Sequence, residues 1–205
     1  MFDEENDIKI ILLGESGTGK SNLINICCNL EFNPNTASNI TSAILEKKII
    51  LGKIQYFIKL WDTAGQEKFR SLNNLFIKDS KICIFVYDIS NRVTFEQLDF
   101  WVKKVEEILG NNPILALVAN KNDLKEEVKK KEGEEYAEKI GAFFYQTSAK
   151  TDKDGFSNFI NILVEEFLFK NHLSGWEIIS KENEGRISLG SDYSRPSTLP
   201  QKSKC

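Results

Sequence analysis

The stretch Ile8-Lys9-Ile10-Ile11-Leu12-Leu13-Gly14-Glu15-Ser16-Gly17-Thr18-Gly19-Lys20-Ser21-Asn22-Leu23-Ile24-Asn25-Ile26 decides the reading of this chain. Ile8–Leu13 has the apolar run of a strand, and Asn22–Ile26 begins a helix. Gly14–Ser21 between them is a complete G-x-x-x-x-G-K-[ST] phosphate loop. Its glycines let the backbone turn tightly and aim N–H groups into an anion-binding concavity. Lys20 can reach terminal phosphates, and the Ser21 hydroxyl can ligate Mg²⁺. The helix N-terminus adds partial positive charge. The bland alternative, a glycine-rich turn that binds nothing, is weakened by the strand and helix on either side.

Working outward, three more apolar runs read as strands: Ile82–Tyr87, Ile114–Ala119 and Ala142–Gln146. The first two are nearly continuous, as expected for parallel strands covered on both faces. Ile44–Leu51 and Ile54–Trp61, joined by a tight turn, predict an antiparallel hairpin at one edge. Leu98, Trp101, Val105, Ile108 and Leu109 form a helical stripe, with Thr94 and Gln97 suited to a capping box before it and Gly110 at its end. Phe156, Phe159, Ile160, Leu163 and Phe167 form a second stripe. Alternating strands and helices predict an α/β, doubly wound, mostly parallel sheet with helices on both faces. Ligands in such sheets bind beyond the carboxyl ends of the strands, where the phosphate loop lies.

The 205 residues suffice for one such domain, expected over 1–170, with a flexible tail over 171–205 rich in Gly, Ser, Pro and charge. Trp176, Ile178 and Ile179 are the tail side chains that could dock locally on the domain. A net charge of −3 without a basic stripe argues against nucleic acid as a partner. No apolar run reaches the length of a membrane span, and the acidic N-terminus lacks the layout of a signal peptide, so a cytosolic chain is expected. Three of the four cysteines, Cys27, Cys28 and Cys83, read as small core thiols without metal-ligand spacing.

Three further strand ends carry chemistry. Ile54–Trp61 runs into Asp62-Thr63-Ala64-Gly65-Gln66. Asp62 can hold Mg²⁺ through water, the Gly65 N–H can meet a terminal phosphate, and Gln66 can orient an attacking water as the catalytic residue. Ile114–Ala119 runs into Asn120-Lys121-Asn122-Asp123. The Asp123 carboxylate, acceptor-only, can take the ring N–H and exocyclic amine of guanine, a pair that adenine lacks. Lys121 can lay its methylene stem along the base. After Gln146 comes Thr147-Ser148-Ala149-Lys150, where a backbone N–H could meet the guanine carbonyl. The expected nucleotide contacts are therefore Glu15, Ser16, Gly17, Thr18, Gly19, Lys20, Ser21, Asn22, Gly65, Asn120, Lys121, Asp123, Ser148, Ala149 and Lys150.

With these motifs the chain resembles Ras-superfamily small GTPases from residue 7 to about 170. Trp61–Gln66 followed by Glu67-Lys68-Phe69-Arg70-Ser71-Leu72, together with Tyr87-Asp88-Ile89-Ser90 and Asn120-Lys121-Asn122-Asp123-Leu124, is most similar to the Rab family. The resemblance implies a phosphate-loop small G domain with a six-stranded sheet, GTP/GDP and Mg²⁺ as ligands, slow hydrolysis, and Phe32 packed against guanine. It also implies control of vesicle-mediated transport, with an exchange factor, a GTPase-activating protein, a GDP-dissociation inhibitor or escort protein, and effectors as partners. A monomer cycling between cytosol and the cytosolic face of an endomembrane is expected. No arginine sits as an internal finger, so a partner would supply it.

Two departures from the Rab pattern follow. Alignment from Glu31-Phe32-Asn33 puts Asn39 where the first switch carries an Mg²⁺-ligating Thr, and Thr41 where it carries Gly. Mg²⁺ demands near-octahedral geometry, so Asn39 as a third metal ligand puts GTP-dependent ordering of that loop in question. Ser38 and Thr41 are alternative oxygen donors if the loop shifts. The chain also ends in Lys202-Ser203-Lys204-Cys205, neither a C-a-a-X box nor a cysteine pair. Cys205 is the expected lipidation site, by geranylgeranyl, with an unmodified thiol as the alternative. One lipid chain gives only marginal, reversible membrane binding. The rival readings are a guanine-nucleotide-binding module with a weakened switch, because of Asn39, and an ATP-using phosphate-loop enzyme, against which Asp123 argues.

Overall fold

Hydrophobic continuity places the strands at the centre of the molecule. A computed structural model describes residues 7–33, 44–51, 54–63, 74–110, 112–152, 154–171 and 193–197. In chain order these form β1 (Asp7–Leu13), α1 (Lys20–Cys27), β2 (Ile44–Leu51), β3 (Ile54–Asp62), α2 (Asn74–Ile77), β4 (Ile82–Asp88), α3 (Arg92–Glu96), α4 (Leu98–Leu109), β5 (Ile114–Asn120), α5 (Lys130–Lys139), β6 (Phe143–Gln146), α6 (Gly155–Lys170) and β7 (Tyr193–Ser194). The strand order is β2-β3-β1-β4-β5-β6-β7. β1 pairs in parallel with β3 on one side and β4 on the other, and the parallel run continues through β5 and β6. β2 is antiparallel to β3, as the hairpin reading predicts.

Alternate residues of each central strand feed two cores. Ile8, Ile10 and Leu12 of β1, with Ile84 and Val86 of β4, pack with Leu23 and Ile24 of α1 and Phe156, Phe159 and Leu163 of α6. Ile11, Leu13, Phe85 and Tyr87 face the opposite way, onto Leu98, Trp101 and Val105 of α4 and Ala137 of α5. Each large side chain buried in this way contributes roughly 1.5–3 kcal/mol relative to exposure. Both sequence stripes are therefore core faces. Cys27 and Cys83 are fully buried, and burial pushes their thiols up to about 11 and about 12. Cys28 is only half-buried.

Three expectations change in detail. Thr94 does not cap α4. It lies inside α3, where its hydroxyl accepts from the Asp88 N–H at 3.0 Å and donates to Asn91 O at 2.7 Å. Asn91 is the cap of α3, accepting from Val93 N–H, while Gln97 joins α3 to α4 without a side-chain cap. Second, a helix with no stripe singled out in the sequence, α5, stands between β5 and β6; it carries seven Lys and Glu residues in ten and buries only Gly133 and Ala137. Third, the sheet has a seventh strand beyond the expected six. β7 comes from the region expected to be a flexible tail and pairs antiparallel with β6, Phe144 opposite Ser194 and Tyr145 opposite Tyr193. The expectation of a structureless tail does not extend to 193–197. Trp176, Ile178 and Ile179 lie outside the described residues.

Candidate functional site

β1 is the point where the strand order reverses, and its carboxyl end carries the phosphate loop. Gly14, Gly17 and Gly19 all have positive φ, at 145°, 78° and 94°. A Cβ on Gly14 would collide with the Val86 carbonyl of β4, and one on Gly19 with the Asn120 amide. The loop is thus pressed against its neighbours where only glycine fits. Within it the Thr18 hydroxyl donates to Glu15 O at 3.0 Å. The α1 ladder starts with Leu23 N–H to Gly19 O, so the N–H groups of Lys20, Ser21 and Asn22 form the first turn and face the loop. Lys20, 3% exposed, curls over the loop with its ammonium on Gly14 O (2.9 Å) and Glu15 O (2.8 Å). A buried ammonium held over the loop is placed to bear the negative charge of a polyphosphate.

The Asn120-Lys121-Asn122-Asp123 turn is joined to this loop through one side chain. Asn120, 1% exposed, donates from Nδ2 to Thr18 O at 2.7 Å and accepts at Oδ1 from Ala149 N–H at 3.1 Å. Its amide is thus engaged with protein at both ends, and it braces the site rather than only lining it. Lys121 adopts φ 68°, and its ammonium reaches Asp88 Oδ2 at 2.6 Å, which holds the stem extended past Gly19. Asp123 accepts from the Ser148 hydroxyl at 2.5 Å and has the Lys150 ammonium 3.9 Å away. Ser148 in turn accepts from the Lys150 N–H at 3.1 Å. Three loops therefore converge on one edge, which brings the Asp123 carboxylate, the Lys121 stem and the Ser148–Lys150 loop together beside the phosphate loop.

Other expected residues fall out differently. Asn22 clamps the segment after α1, donating to Asn33 O at 3.1 Å and accepting from Asn33 N–H at 3.0 Å. Phe32, on that same segment, packs half-buried against the core that holds Leu23 and Phe156. Asp62, 8% exposed, ends β3 opposite Leu12, and the neighbouring Thr63 donates to Leu12 O at 2.7 Å. Ser21 on α1 and Asp62 on β3 border the phosphate loop from adjoining elements. Both offer hard oxygen donors, the kind Mg²⁺ takes alongside phosphate oxygens and water. Among the described residues no cluster of three or more His, Cys, Asp or Glu side chains is set to hold a metal. Gly65, Gln66, Asn39 and Cys205 lie outside the described residues.

Asp88 is the residue that motif reading missed as part of the site. It ends an otherwise wholly apolar strand, and its carboxylate accepts from Ser90 N–H and Oγ while holding Lys121. A lone buried acid at the carboxyl end of a buried strand is the signal that could have found it.

A phosphate loop on β1, braced through Asn120 to the loops after β5 and β6, defines a nucleotide-binding domain of the small G type. The Ras family model matches residues 9–168, and the chain belongs to the Ras family of small GTPases. The proteins it is similar to include Rab proteins. It is 40% identical to the human Ras-related protein Rab-21 over 147 residues, 71% of this chain and 65% of that protein. It is 35% identical to rat Ras-related protein Rab-31 over 189 residues, 90% of this chain and 92% of that one. It is 33% identical to Arabidopsis thaliana Ras-related protein RABA5a over 198 residues, 95% and 89% of the two chains. The match spans just under two thirds of the length of the Rab-21 proteins.

Proposed function

We propose that this chain is a Rab-type molecular switch that binds GTP or GDP, hydrolyses GTP slowly, and regulates vesicle-mediated transport. The observation that carries the reading is the Asn120 brace, which holds the phosphate loop and the Asp123 and Ser148 loops in one site. Glu15–Asn22 bind the phosphates, and Lys20 balances their charge. Asp123 and Lys121 select and cover guanine, with Phe32 beside it and a backbone N–H of the Ser148–Lys150 loop toward its carbonyl oxygen. Ser21 and Asp62 are the residues that would hold Mg²⁺, whose charge would offset that of the phosphates.

In hydrolysis, water attacks the γ-phosphorus while the bond to the β-phosphate oxygen breaks, giving GDP and phosphate. Gln66 orients that water through its amide, and the Gly65 N–H meets the γ-phosphate. Turnover is slow until a GTPase-activating protein supplies an arginine finger. The other partners in this reading are an exchange factor, a GDP-dissociation inhibitor or escort protein, effectors, and the cytosolic face of an endomembrane reached through prenylated Cys205. Among the described residues no helix is long and apolar enough to cross a membrane.

Asn39 favours a second reading, a guanine-nucleotide-binding module whose first switch responds weakly to the γ-phosphate. Comparing partner binding in the GDP and GTP-analogue states separates the two. The nucleotide released on denaturing the purified protein tests the common core. Guanine nucleotide is expected, and adenine nucleotide would overturn the reading.

A further inference from the structure

The outer edge of β6 is bracketed by a carboxylate on each face of the sheet, Glu138 of α5 and Glu166 of α6. The segment Tyr193–Ser197 occupies that edge. Its backbone adds the two-residue strand β7 to β6. Tyr193 stacks on Phe143 (centroids 6.4 Å apart, planes at 16°) and meets Phe159 edge-on at 6.0 Å, covering two rings that belong to the core. Arg195 forms an ion pair with Glu166, whose side chain is 7% exposed, and its guanidinium lies 5.8 Å from the Phe143 ring centroid. Arg195 also donates from Nε to the Tyr193 hydroxyl at 3.1 Å. Pro196 is buried, and Ser197 donates its N–H to Glu138 at 3.0 Å and its hydroxyl to the same carboxylate.

We infer that the β6 edge, with Phe143, Glu138 and Glu166, is a docking site for an extended aromatic and cationic peptide, and that Tyr193–Ser197 of the same chain is its occupant, clipping the tail to the domain. Strand addition supplies backbone hydrogen bonds, while the pockets for alternate side chains supply selectivity. Here Tyr193 of β7 meets the rings, and Arg195 just beyond the strand meets Glu166. An exposed strand edge invites pairing with other chains, and the clip closes this one.

The geometric consequence concerns where the chain leaves the domain. Without the clip, Cys205 is 34 residues beyond Asn171 at the end of α6, a reach of up to about 120 Å. With it, Cys205 is eight residues beyond Ser197, a reach of at most about 29 Å from the β6 edge. Any attachment made at Cys205 is then held close to one defined side of the molecule. The inference does not depend on which nucleotide the site binds or on lipidation of Cys205.

Hydrogen exchange on the full-length chain tests it. Peptides spanning 143–147 and 193–197 are expected to be protected, equally so over a hundredfold range of protein concentration. Arg195→Glu and Tyr193→Ala should each speed exchange in both peptides about tenfold or more, the equivalent of losing about 1.4 kcal/mol of local stability. The phosphate-loop and 120–123 peptides should be unchanged. The double variant Arg195→Glu with Glu166→Arg should recover part of the protection. Exchange of 193–197 at unstructured rates in the parent chain overturns the inference whatever the variants do. Protection that survives both single substitutions overturns the assigned contacts. Protection that fades on dilution means that the occupant is the tail of a second copy.

Discussion

The Asn120 side-chain amide donates to the Thr18 carbonyl across 2.7 Å, linking two residues that are 102 positions apart in the chain. Through its oxygen the same amide reaches Ala149 N–H. The phosphate loop, the Asn120–Asp123 turn and the loop after β6 are thus registered by one buried group.

Asn120→Ala removes the brace and leaves the buried Thr18 carbonyl and Ala149 N–H without this partner. An unsatisfied buried group costs roughly 1–3 kcal/mol, so nucleotide affinity should fall about tenfold to hundredfold. Dissociation of a fluorescent guanine nucleotide reads this directly. A dissociation rate equal to that of the parent would remove the brace from the account of the site.

Gly14→Ala should destabilise the whole domain. The new methyl must sit against the Val86 carbonyl at a φ of 145° that L-residues rarely adopt. Strain and overlap of this kind amount to about 2–4 kcal/mol, which lowers Tm by roughly 5–15 °C in a domain this size. Differential scanning calorimetry at saturating nucleotide checks it, and a Tm within a degree of the parent contradicts it.

Asp123→Asn should move base preference from guanine toward xanthine. Xanthine has a carbonyl where guanine has its amine, which matches the acceptor and donor of an Asn amide. GTP should lose about tenfold to hundredfold in affinity, since its amine would face an N–H₂ group. Titrations of GTP and xanthosine triphosphate against both proteins decide it. A variant as selective for GTP as the parent would dismiss Asp123 as the base selector.

Gln66→Leu should retain GTP while slowing its hydrolysis, because Leu fills a similar volume and cannot orient water. Single-turnover hydrolysis is the measurement. Loss of a water-positioning group typically lowers the rate by about 10²–10³. An unaltered rate assigns the water to another residue.

Asn39→Thr should strengthen coupling between the γ-phosphate and the first switch. Hydrogen exchange over residues 33–42, with GDP and with a GTP analogue, should show a larger difference in the variant than in the parent. A parent loop already fully protected by the analogue refutes the weakened switch.

The parts of this protein legible in its sequence are those encoded by neighbours along the chain. Gly14–Ser21 announces itself because turn chemistry, a charged side chain and a hydroxyl must stand at fixed spacing to wrap a phosphate. Ile82–Tyr87 and Ile114–Ala119 announce themselves because a strand buried on both faces has to be apolar throughout. The hairpin of β2 and β3 matches its observed bounds closely for the same local reasons. What only the tertiary structure decided depends on groups far apart in sequence. Asn120 reads as one letter of a base-recognition motif, and its work as a brace follows from the approach of Thr18 and Ala149. Asp88 gains meaning only when Lys121 reaches it. Thr94 has a good capping residue's chemistry, yet a second short helix places it beneath Asp88 instead. Tyr193 and Arg195 lie in a stretch too poor in apolar residues to predict order. Tyr193 pairs with β6 and Arg195 with Glu166 because the folded domain presents two aromatic rings and a buried carboxylate at an open strand edge. Local propensity and motif spacing are properties of the chain, whereas edge pairing, buried ion pairs and loop bracing exist only once distant segments have been brought together.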